Sequence, residues 1–176
     1  MEDERVNNWI FAIKRDDETV DSYVCRFLSV APSFPIEVIK MWMWRHGPQT
    51  IWEMLEIPPS AYQFHLVEIS SDDLPRRDAF RQPAFYDMWT DETHVNARKK
   101  HAEVPELWDF MVENHTWPLA PLVVDTASSS TELTKHLHQP LHIVDGHTRI
   151  AMAHLLRSKG LLDARLPLWL CVIKST

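Results

Sequence analysis

Apolar residues recur at helical spacing at Val20, Tyr23, Val24, Phe27 and Leu28, behind an acidic first turn, and predict a helix with one buried face. Ser33 and Pro35 open a second helix that carries Ile36, Ile39 and Met43 and stops at Gly47-Pro48, and Thr50 to Leu55 suggests a short third. The pattern changes after Pro58-Pro59. Residues 63–69 read as a strand ending in the polar turn Ser70-Ser71-Asp72-Asp73. Residues 76–104 suggest two short helices, and Pro105 opens another with Leu107, Trp108 and Met111 inward, broken by Trp117-Pro118. Leu122-Val123-Val124 is a second strand, Thr126 to Thr131 a Ser/Thr-rich loop, and Leu141 to Val144 a third strand. Thr148 to Lys159 is a helix closed by Gly160, and Pro167 to Ile173 is a last apolar strand. The expected fold is α+β: a small mixed sheet of about four strands covered by helices, with an all-helical extension over 1–60 and the sheet domain over 61–176.

Composition narrows the function classes. The 176 residues carry a formal charge of −7, which is not the footprint of a protein that grips duplex DNA over a wide face. Cys25 and Cys171 lie far apart and form no CxxC pair, so neither a disulfide framework nor a zinc ribbon is expected. Met1-Glu2-Asp3-Glu4 is acidic where a secretory signal would be basic, and no apolar run reaches the ~20 residues of a membrane span. A cytoplasmic protein without membrane contact is the expectation. Trp42, Trp44 and Trp52 concentrate in residues 19–57, either as core or as a partner surface.

The chemistry concentrates where the third strand meets the last long helix, at Asp145-Gly146-His147-Thr148-Arg149. Unpaired amides and the positive end of a helix dipole make such a turn a ready anion site. Gly146 lets backbone approach an anion, or simply makes a tight turn. Arg149 forks onto phosphate oxygens, or pairs with Asp145. Asp145 holds Mg²⁺ or orients a nucleophile, or else shapes the turn. His147 donates to phosphate or serves as general acid/base, and Thr148 caps the helix or adds a hydroxyl donor. Arg76, Arg77 and Arg81, interleaved with Phe80, Phe85 and Tyr86, form a basic-aromatic cluster able to track a single nucleic-acid strand; Arg98-Lys99-Lys100-His101 is a second basic spot. Ten His residues match no zinc spacing.

The stretch from Trp117 to Ile173, WPLAPLVVD…PLHIVDGHTRIAMAHLL…LPLWLCVIK, resembles the ParB/sulfiredoxin superfamily, in which a strand ends in a G-x-x-R or D-G-H-x-R turn before an Ala-rich helix. VEISSDDLPRRD resembles the family's first strand and the acidic segment after it, so the likeness is strong over 117–173, weak over 62–116, and absent from 1–57. It implies a nucleotide-handling domain over about 62–174 that binds ATP or another nucleotide with Mg²⁺. The amides of Gly146 to Arg149 would lie on phosphates, with Asp145, His147, Arg149 and Asp78 as catalytic candidates. His147 stands where sulfiredoxin needs its Cys, so sulfinic-acid repair is not expected. Gly-His-Thr-Arg in place of paired arginines, with no DNA-reading helix pair, argues against a full partition protein. The leading expectation is a Mg²⁺-assisted phosphohydrolase, ATPase or DNase, with DNA as a candidate partner. The alternative is a non-catalytic regulatory or inhibitory module, such as a plasmid-borne inhibitor of conjugative transfer, that binds a protein through its Trp-rich helices.

Overall fold

A computed structural model describes residues 9–46, 57–98 and 104–175. The expected helix at Thr50 to Leu55 and most of the second basic spot fall outside the described residues. Four strands form one mixed sheet in the order β1-β4-β2-β3: β1 (Tyr62–Ser70), β2 (Leu122–Asp125), β3 (Leu141–Asp145) and β4 (Arg165–Ile173). β1 runs antiparallel to β4, β4 parallel to β2, and β2 antiparallel to β3. Each predicted strand is present and one to two residues longer.

Side-chain alternation divides the core into two clusters, one on each face of the sheet. Leu122, Val124, Cys171 and Ile173 belong to the first, which is roofed by the N-terminal helices α1 (Val20–Val30) and α2 (Ile36–Val38) and by a π-helical continuation, Ile39–Trp44. Val123, Ile143, Leu166 and Leu168 belong to the second, covered by α3 (Pro83–Thr90), α5 (Val104–Asn114) and α7 (His147–Ser158). The short helix α4 (Glu92–Arg98) follows α3, and α6 (Thr131–Thr134) precedes β3. A strand buried on both faces has no need of polar positions, which is why Leu122-Val123-Val124 is apolar throughout.

Local rules account for the helix ends. Thr19 caps α1 by accepting from the Ser22 amide at 3.3 Å. Gly160, at φ 68°, ends α7 in paired bonds from Gly160 N–H to Arg157 O and Leu161 N–H to Leu156 O, a Schellman closure. Two expectations change. The Ser/Thr-rich loop gives way to α6 at Thr131, and Ile36 is 46% exposed, because the wider turn after Val38 brings Ile39, Met41, Trp42 and Met43 inward instead. Among the described residues no helix is long and apolar enough to cross a membrane.

Candidate functional site

β3 ends at Asp145, and the chain reverses through Gly146 at φ 93° into α7. Glycine is needed there twice over. The left-handed backbone disfavours a side chain, and a Cβ would lie 2.7 Å from Cβ of Pro121. The fold alone therefore explains Gly146. The turn still has a chemical consequence, because the first bond within α7 runs from Ile150 N–H to Gly146 O at 2.9 Å. The amides of His147, Thr148 and Arg149 precede it, have no intrahelical acceptor, and receive no side-chain cap from a glycine.

Asp145 and Arg149 face each other one helical turn apart, and both are buried. One guanidinium nitrogen of Arg149 donates to Asp145 Oδ2, and the other donates to the carbonyl of Leu119 at 2.5 Å and lies 3.6 Å from Met41 Sδ. The second carboxylate oxygen, Asp145 Oδ1, lies 2.8 Å from Nε2 of His46. Burial pushes the Asp145 pKa up, but the His46 hydrogen bond and the Arg149 charge outweigh it and hold the carboxyl below its ordinary value. An ionised carboxylate only accepts, so Nε2 of His46 carries the hydrogen. His46 comes from the segment after the π-helical turn, so this polar link joins the N-terminal helices to the sheet.

His147 packs edge-on against Phe80 and Phe85, with ring centroids at 5.6 and 6.2 Å. Its Nε2 is buried with no hydrogen-bond partner among the described residues, and burial lowers its pKa, so the ring is neutral at pH 7. His142 is buried one strand face away and stacks on His138 at 5.5 Å. Burial first, and then the nearby His138, His147, His136 and Arg81, lower its pKa to about 4. Arg81 lies close enough to act on both His142 and His147, and Arg45 on Arg149. Two arginines, Arg81 and Arg45, therefore stand near this turn.

The other candidates sit apart from this network. Asp78 is exposed in the 3₁₀ turn Arg77–Ala79 and forms no hydrogen bond or ion pair with the described residues, although its neighbour Phe80 reaches His147. Asp72 pairs with Arg157. In the basic-aromatic cluster Phe80 is fully buried, Phe85 and Tyr86 are half-buried against the same core, and Arg77 forks onto Asp87 at 2.7 Å. Trp42 is likewise fully buried and cannot be a partner contact. Trp44 is half-buried against Tyr23, with the Lys14 ammonium 3.7 Å from its ring centre.

Both oxygens of Asp145 are engaged, and among the described residues no group of three His, Cys, Asp or Glu side chains is arranged around a cation. Sequence reading missed His46, the Leu119 carbonyl and Pro121, which meet the turn through long-range packing that no local spacing signals. Comparison with protein-family models, with curated proteins and with solved structures finds no match to this chain.

Proposed function

We propose that this chain binds the phosphate groups of a nucleotide at the β3–α7 turn, as its resemblance to the ParB/sulfiredoxin superfamily implies. The observation that carries the reading is the open first turn of α7, whose three leading amides have no intrahelical acceptor at the positive end of the helix dipole. Asp145 does not cancel that field, because Arg149 neutralises it within the same buried pair. The amides of His147, Thr148 and Arg149, with the Thr148 hydroxyl, are the phosphate donors in this reading. Arg149 acts behind them as a positioning residue, since its side chain is already turned to Asp145 and Leu119.

Hydrolysis of ATP or of a DNA strand is the further step of the same proposal. Neutral His147 is the acid/base group available to it, and no step is assigned to a metal. Calorimetric titration with ATP, CTP and GTP, with and without Mg²⁺, tests binding. The expectation is micromolar to millimolar affinity for one nucleotide, lost in Thr148→Pro, which removes one of the three amides. Thermal unfolding of the variant must match the parent chain. Absence of binding to all three nucleotides overturns the proposal.

One observation favours a second reading, a non-catalytic regulatory module. Asp145 and Arg149, the two groups best suited to catalysis, are committed to each other and to holding the N-terminal helices. Binding without phosphate release or strand cleavage above a mock preparation selects this reading. Turnover that disappears in His147→Gln selects the enzyme.

A further inference from the structure

The outer edge of β1 pairs with no strand among the described residues, and its geometry is regular. Its nine residues keep continuous register with β4, from Tyr62 opposite Ile173 to Ser70 opposite Arg165. Flanking bonds fix which main-chain groups face outward. Lys174 N–H donates to Ala61 O and Ser71 N–H to Ala164 O, both at 2.9 Å, so the odd-numbered residues of β1 exchange bonds with β4. Pro167, which has no N–H, stands opposite Glu68, and its carbonyl turns away from β1 to accept from Trp117 Nε1 at 2.7 Å. Tyr62, Phe64, Leu66 and Glu68 therefore direct their N–H and C=O groups away from the β4 backbone, and the Glu68 carbonyl accepts from the Arg165 guanidinium at 3.1 Å. Edge strands are normally protected by brevity, a bulge, Pro or Lys. Tyr62–Ser70 contains no Pro and no Lys, and Leu66 at its centre is 58% exposed.

We propose that β1 pairs antiparallel with β1 of a second copy of this chain, about a two-fold axis through Leu66, to make one continuous sheet. Three features favour a second copy as the occupant. The strand is self-complementary in this register: Phe64 meets Glu68 of the second copy, His65 meets Val67, and no charge faces its like. The two Leu66 side chains meet on the axis and leave water together.

The covers also interlock. Tyr62 and Phe64 lie under Phe34 of the N-terminal roof, at 5.5 and 4.7 Å between ring centres, whereas Glu68 on the same face is exposed. The axis at Leu66 sets the roofed half of each strand beside the bare half of the other. An axis at Phe64 would drive the two roofs together. The pairing gives about six main-chain hydrogen bonds, from Phe64, Leu66 and Glu68 of each copy, with the Glu68 carbonyl using its second lone pair or releasing Arg165.

Sedimentation equilibrium of the full chain tests the proposal, with a monomer–dimer equilibrium expected across roughly a hundredfold range of concentration. Leu66→Pro removes an outward N–H without touching a bond to β4, and Leu66→Lys places two cations on the axis. Each is expected to raise the dissociation constant at least about tenfold, while Ile13→Lys on the N-terminal surface leaves it unchanged. Should either Leu66 variant lose cooperative unfolding, Leu66→Cys in a Cys25→Ser background replaces it. That protein is expected to form a disulfide-linked dimer on mild oxidation, because directly opposed residues stand about 5.5 Å apart. A parent chain that stays monomeric throughout overturns the proposal. So does a dimer insensitive to the Leu66 changes, a dimer weakened equally by Ile13→Lys, or failure of the Leu66→Cys variant to cross-link.

Discussion

The two edges of the sheet solve opposite problems. β3 is five residues long, its pairing to β2 shifts register at Leu122/Val123, and it ends in a glycine turn beside a buried ionic link. β1 is nine residues long, unshifted, and carries exposed Leu66 at its middle. At β3 the polar side chains are tied to one another, and three helix-end amides have no partner among the described residues. At β1 the outward groups that pair with no strand among the described residues are main-chain donors and acceptors, of which the Glu68 carbonyl accepts from Arg165. The first pattern suits a small anion and the second suits another strand, so stability and recognition should be separable between the two ends.

The sharpest way to test that separation is to break the ionic link. Asp145→Ala leaves Arg149 buried without its counter-charge and His46 without its acceptor, and should cost about 3–5 kcal/mol in urea unfolding. A loss under about 1 kcal/mol would mean that the pair holds little.

Acid should act on the same end. His142 is neutral in the fold with a pKa of about 4 against an ordinary 6.5, so the unfolded chain binds the extra proton between those values. Stability should therefore fall as the pH drops from 6.5 towards 4, by roughly 3 kcal/mol from this group. His142→Gln should flatten that slope. The depressed Asp145 pKa adds its own loss only below the ordinary carboxylate range, as pH falls through the lowered value.

Gly146→Ala combines a left-handed backbone with a contact on Pro121 and should cost about 2–3 kcal/mol. Gly160→Ala, at φ 68° with nothing within 4 Å of the new Cβ, should cost about 1 kcal/mol. Equal effects at the two glycines would mean that Pro121 yields. The smallest effect belongs to the opposite edge: Leu66→Lys should change the stability of the monomer by no more than about 0.5 kcal/mol.

Much of the fold was legible because its signals are local. Short apolar runs bounded by turn residues mark the four strands, the spacing of Tyr23, Val24 and Phe27 marks α1, and Gly160 marks the end of α7. Trp42 was open to two readings, and Phe80 was read into an exposed basic-aromatic cluster, because an aromatic residue looks the same in a core as on a binding surface. Only tertiary burial separates the two.

The turn itself was legible as Asp-Gly-His-Thr-Arg, and pairing between Asp145 and Arg149 follows from their i, i+4 spacing. What the spacing cannot carry is His46, 99 positions from Asp145 in the chain, or the Leu119 carbonyl that takes the other arm of Arg149. Those contacts arise from how the N-terminal helices settle on the sheet.

In the proposed function oxyanions meet the amides opening α7, which have no partner among the described residues. Titrating the ¹⁵N-labelled chain with nucleotide, without Mg²⁺, reads those amides one by one. Saturable shifts greatest at His147, Thr148 and Arg149 are expected, with β1 amides unmoved. Shifts confined to other surfaces, or none at any of the three at millimolar nucleotide, would contradict it.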